Sequence, residues 1–61
     1  MLKDANRFFK VFNGIPLTER KMPIIVLNNQ PISWELAKEE ITNETSSGEK
    51  ILKLMMELNI I

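Results

Sequence analysis

Apolar residues recur at helical intervals in three stretches of the chain and bunch without a period in a fourth. Leu2, Ala5, Phe8, Phe9 and Phe12 fall at steps of three and four, which predicts an amphipathic helix over residues 2–12. Asn13-Gly14 is expected to end it, with Gly14 taking a left-handed turn and Pro16 preventing the helix from resuming. Trp34, Ala37, Lys38 and Ile41 share one side of a second helix, about residues 34–42, with Leu36 beside them. Ser33 is its expected N-cap, and Glu35 stands in its first turn. The clearest stretch is the last. Ile51, Leu54, Met55 and Leu58, widened by Leu52 and Met56, predict a helix from Ser46 to Leu58. Ser46 and Glu49 have the S-x-x-E spacing of a capping box, and Asn59 suits a left-handed stop.

Residues 15–31 carry no period. Thr18 and Glu19 suit the start of a helix, but Pro23 is tolerated only in or near a first turn. The run Ile24-Ile25-Val26-Leu27 fits a buried helix. It fits equally a short buried strand, being mostly β-branched, preceded by proline and closed by Asn28-Asn29. The expected fold class is all-α, three to four short helices in a helix-turn-helix-like bundle. An α+β arrangement with a short strand near 23–28 is the alternative.

Length and charge narrow the picture. The chain has 61 residues, enough for one small domain over 1–61 with a modest core. It has no Cys and no His, which removes disulfides, thiolate or imidazole catalysis and the usual zinc sites. No cofactor site is expected. Net charge is zero, which argues against binding nucleic acid by bulk charge alone. The charge is unevenly spread: residues 1–22 hold five basic against two acidic side chains, and residues 33–44 hold one against four. The longest strong apolar run, Ile24 to Leu27, is too short to span a bilayer or form a secretory core, so no membrane association and a cytoplasmic location are expected. Asn43-Glu44-Thr45 matches a glycosylation acceptor, but as a helix-end turn it needs no such role.

No catalytic constellation emerges, and no enzyme activity is expected. Glu35, Glu39 and Glu40 cluster on one helix, yet no third group converges on them and no phosphate loop accompanies them. Trp34 and the three Phe are expected to form the core, with Trp34 packing on Phe8 or Phe12; base stacking is the alternative use. Lys3, Arg7 and Lys10 form a basic stripe on the first helix, either a solvated face or a rail for phosphates.

Residues 17–61 resemble the helix-turn-helix core of winged-helix DNA-binding proteins, without a wing. Leu17-Thr18-Glu19-Arg20 resembles the opening of that family's first helix, and Gln30-Pro31-Ile32-Ser33 its link. Glu35-Leu36-Ala37-Lys38 resembles the start of the second helix. Ser46-Ser47 with Ile51 to Ile61 resembles the recognition helix, with Asn59 where the family usually has Gly and Gly48 where an apolar residue is expected. The resemblance implies a small DNA-binding transcriptional regulator, possible as a homodimer, with a recognition helix at about 46–58. Ser47, Lys50 and Lys53 would contact DNA, and Lys3, Arg7 and Lys10 would supply phosphate contacts. The alternative is a protein–protein interaction or adaptor module, favoured by net neutrality, separated charge and the adaptable Met55 and Met56.

Overall fold

The computed structural model describes residues 1–61. Helix α1 (Ala5–Phe12) leads through a single 3-10 turn (Leu17–Glu19) into strand β1 (Pro23–Leu27). Strand β2 (Gln30–Ser33) returns antiparallel to β1, and helices α2 (Trp34–Thr42) and α3 (Ser46–Glu57) complete the chain. The fold is therefore α+β. The all-α expectation is corrected: where the resemblance implied a first helix from residue 17, there is only the 3-10 turn and then a β-hairpin over 23–33, and the α+β alternative with a short strand near 23–28 agrees with β1.

The hairpin follows from local chemistry that hydropathy alone does not show. Asn28 and Asn29 both adopt positive φ, 52° and 66°. Two consecutive left-handed residues make the type I′ turn, whose twist matches that of a hairpin, and Asn is among the few side chains that accept it. The turn sets the register Leu27↔Gln30, Val26↔Pro31 and Ile25↔Ile32. An irregularity between Pro23 and Ile25 bends the start of β1. Alternation then sends Ile25 and Ile32 into the core and Val26 and Pro31 outward.

All five left-handed residues, Asp4, Asn28, Asn29, Glu44 and Asn59, are non-glycine. Gly14 is not one of them, contrary to expectation. The end of α1 continues right-handed, with Gly14 N–H donating to Val11 O and Ile15 N–H to Phe12 O, each at 3.0 Å. Helix α1 also begins later than expected, because Asp4 is left-handed and Ala5 N–H turns back to Leu2 O.

At the other end the expectations hold more closely. Ser33 Oγ accepts from Leu36 N–H at 3.1 Å and caps α2. Asn59 takes the left-handed position after α3. Asn59 N–H donates to Met56 O and Ile60 N–H to Met55 O, the pair of bonds of a Schellman stop. The cap of α3 lies one residue earlier than the Ser46–Glu49 box. Thr45 Oγ1 accepts from Gly48 N–H at 2.9 Å and donates to Glu40 O at 3.3 Å. Thr45 thus closes α2 and opens α3 together, with Glu44 left-handed between them.

Gly48 explains the tight corner. A Cβ there would stand 2.7 Å from the Glu40 carbonyl carbon, so α3 can cross the end of α2 this closely only at a residue without one. The glycine that weakens a helix by propensity permits this helix to pack.

The core joins the three helices and both strands. It comprises Ala5, Phe8, Phe12, Ile25, Ile32, Trp34, Ala37, Ile41, Ile51, Leu52 and Met55. Phe8 is its centre, fully buried, with ring centroids 5.3 Å from Phe9, 5.6 Å from Phe12 and 5.8 Å from Trp34. Such aromatic pairs add about 0.5–1.5 kcal/mol beyond burial. Phe8, Phe12 and Trp34 are all buried, so none of these rings offers a face for stacking on a base. The accessible surface is 4210 Å², close to the about 4,100 Å² expected for a monomer of 7.1 kDa. No helix is long and apolar enough to cross a membrane.

Candidate interaction surface

The residues expected to touch DNA are spread over α1, α3 and the turn before α1, where Lys3 lies off the helix, and do not form one basic face. Lys3 and Lys53 line the same shallow depression, where α1 begins beside the middle of α3. Asp4 and Glu49 line it too, so two carboxylates accompany the two lysines. Arg7 is turned toward the end of α3, donating to Met56 Sδ at 3.5 Å and to Ile61 O at 3.3 Å. Lys10 is exposed further along α1. Lys50 is exposed on α3, and Ser47 is half-buried.

The outward face of α3 carries Ser46, Glu49, Lys50, Lys53 and Glu57, all exposed. Its two lysines lie between its two glutamates, and the charges cancel. The one ion pair in the structure joins the amino terminus to Glu44 at 3.2 Å, so these lysines have no carboxylate within 4.0 Å.

A second depression, of about 400 Å³, lies between the end of α1 and α2. Its lining includes Phe12, Arg20, Glu35, Lys38 and Glu39. Arg20 is mostly committed to the fold. Its Nε donates to Ile15 O at 2.9 Å and its Nη2 to Phe12 O at 3.3 Å, while its guanidinium carbon sits 4.3 Å from the centre of the Phe12 ring. Arg20 O also accepts from Glu35 N–H at 3.0 Å, tying the segment before the hairpin to the start of α2. Lys38 Nζ approaches the same ring at 5.4 Å. Such cation–ring contacts contribute about 0.5–1 kcal/mol where exposed. Sequence reasoning used Arg20 as a basic charge and as part of the opening of a first helix. Its role as a clamp has no local signature, because its acceptors are backbone carbonyls five and eight residues upstream.

The third surface is the hairpin. Five large apolar side chains are well exposed, and three of them, Leu17, Met22 and Val26, fall within residues 17–26. Val26 is 63% exposed and points away from the core opposite Pro31. Beyond β1 no further strand follows, since the sheet has two strands. Sequence reasoning missed this surface, although a signal was present: two asparagines between apolar runs, with proline two places after them, mark a hairpin and its edge.

Neither a known protein family, nor a characterised protein, nor a solved structure matches this chain. Its functional reading therefore rests on the surfaces just described.

Proposed function

We propose that the protein is a small binding module that engages another protein through its hairpin side, acts in the cytoplasm and catalyses no reaction. The observation that carries this reading is the well-exposed Val26 on β1, whose outer edge has no strand partner; Leu17 and Met22, also exposed, lie in the segment leading into that strand. Strand edges recognise extended chains through the backbone, and neighbouring apolar side chains add selectivity. The would-be recognition helix supports the same reading from the other side. Its exposed face sums to no net charge, and phosphate binding draws its affinity from uncompensated cations.

A photo-crosslinking residue placed at Val26 in the living cell tests the proposal. Protein adducts from position 26, with none from position 50, are the expected result. Nucleic-acid adducts from position 50 with no protein adduct from position 26 would overturn it.

DNA binding stands as a second reading because Lys3, Lys10, Lys50 and Lys53 are exposed and unpaired. Gel retardation at low salt decides it. On this reading the wild-type chain retards duplex DNA, and the double variant Lys50→Glu, Lys53→Glu does not, with unchanged helical circular dichroism.

A further inference from the structure

We infer that the occupant of the β1 edge is a second copy of this chain, paired antiparallel through Val26; this rests on the protein-binding reading above. The two edges of the hairpin differ. Leu27 and Gln30 flank the two-residue turn and so form its hydrogen-bonded pair, which makes Val26 and Pro31 the next, non-hydrogen-bonded pair. The backbone groups of a non-hydrogen-bonded pair point out of the hairpin. On β2 the outward N–H is missing because the residue is proline, and that edge cannot accept a regular neighbour. On β1 the Val26 N–H and C=O face outward, and no backbone bond from outside the hairpin reaches them.

Natural proteins guard such edges with charge, proline or bulges. Here Pro23 and the irregularity beside it guard the beginning of β1, but Ile24 to Leu27 carry no charge and no proline. A second copy meets this edge by symmetry. With Val26 opposite Val26, the two residues exchange both hydrogen bonds across a twofold axis. The outer face then carries an unbroken apolar row, Pro31 and Val26 of one copy followed by Val26 and Pro31 of the other. Charge favours the antiparallel sense. Lys21 lies just before β1, so antiparallel pairing sets the two copies' lysines at opposite ends of the pair, whereas parallel pairing would set them side by side. Each Lys21 lies five residues from the twofold at Val26, so the two stand about 34 Å apart, beyond the reach of exposed charges at physiological salt.

The contact is short, so association is expected to be weak and reversible. Sedimentation velocity of the full chain, up to about 1 mM, is expected to show a monomer–dimer equilibrium, and amide exchange at Val26 is expected to slow as concentration rises. Val26→Pro removes the outward N–H without removing a bond of the hairpin and should abolish the dimer. Val26→Lys, which keeps the N–H and sets two like charges together, should weaken it by up to about fivefold and serves if the proline variant does not fold. A dimer unaffected by either substitution, or one in which the Val26 amide exchanges as in the monomer, would overturn the inference. So would a monomer throughout the range. If that monomer still forms protein adducts from position 26, the inference alone falls; if it forms none, the protein-binding reading falls with it.

Discussion

Helix α2 is joined to its neighbours by different means at its two ends. At its C-terminus the joint to α3 is closed by local and tertiary interactions that agree. Thr45 bonds both helices, Glu44 takes the left-handed turn, and Gly48 allows the crossing. At its N-terminus α2 leaves the hairpin directly, with Ser33 serving as the last strand residue and as the cap. There the chain upstream is held by one cross-strand pair in the core, Ile25 with Ile32, and by the Arg20 clamp. The corner is closely packed, with Gly48 against the Glu40 carbonyl. The hairpin is anchored on one face and open on the other. The contrast separates a corner whose residues hold the fold from a hairpin face, around Val26, that the core does not use.

The largest expected effect strikes the corner's support. Ile51 is fully buried, and Ile51→Ala should cost about 3–4 kcal/mol by the usual penalty for emptying a core site, which urea denaturation would register as a largely unfolded chain. Leu54 is only half-buried, so Leu54→Ala should cost about half as much. Equal losses at the two positions would break the assignment of α3's buried face.

Gly48→Ala is the sharpest test of the crossing. Helix propensity alone predicts a gain of about 1 kcal/mol, while the close approach to Glu40 predicts a net loss of about 2 kcal/mol. A rise in the denaturation midpoint would show that the helices can move apart freely. Thr45→Ala comes next. It removes the acceptor for Gly48 N–H and the donor to Glu40 O and should cost about 1–2 kcal/mol, whereas Ser46→Ala should change stability by less than about 0.5 kcal/mol. The reverse order would restore the capping box at Ser46. The smallest effect belongs to the hairpin. Asn29→Gly should stabilise by about 0.5 kcal/mol, because Asn-Gly is the favoured pair for two left-handed residues. A loss instead would mean that the Asn29 side chain contributes to the turn.

The candidate surface was less legible than the fold. The lysines of α1 and α3 could be placed on exposed stripes from their spacing, and they are exposed. Their company could not. Asp4 and Glu49 reach the depression of Lys3 and Lys53 because α1 begins beside α3, which no spacing within either helix encodes. Arg7 was grouped with the phosphate stripe, but it is bonded to residues about fifty positions away at the end of α3.

By itself the sequence determined α2 and most of α3, together with the cap at Ser33 and the stop at Asn59. These depend on hydrophobic period and on side chains that bond the backbone within a few residues, both of which are local. The state of residues 23–27, the place where α3 is capped and the value of Gly48 were decided by tertiary structure. Four consecutive apolar residues satisfy a helix or a strand alike; the Asn28-Asn29 turn permits the strand, and the pairing of Ile25 with Ile32 in the core selects it. A glycine reads as a weak point along a helix until a second helix arrives within contact distance, and then the missing Cβ becomes the condition for burial.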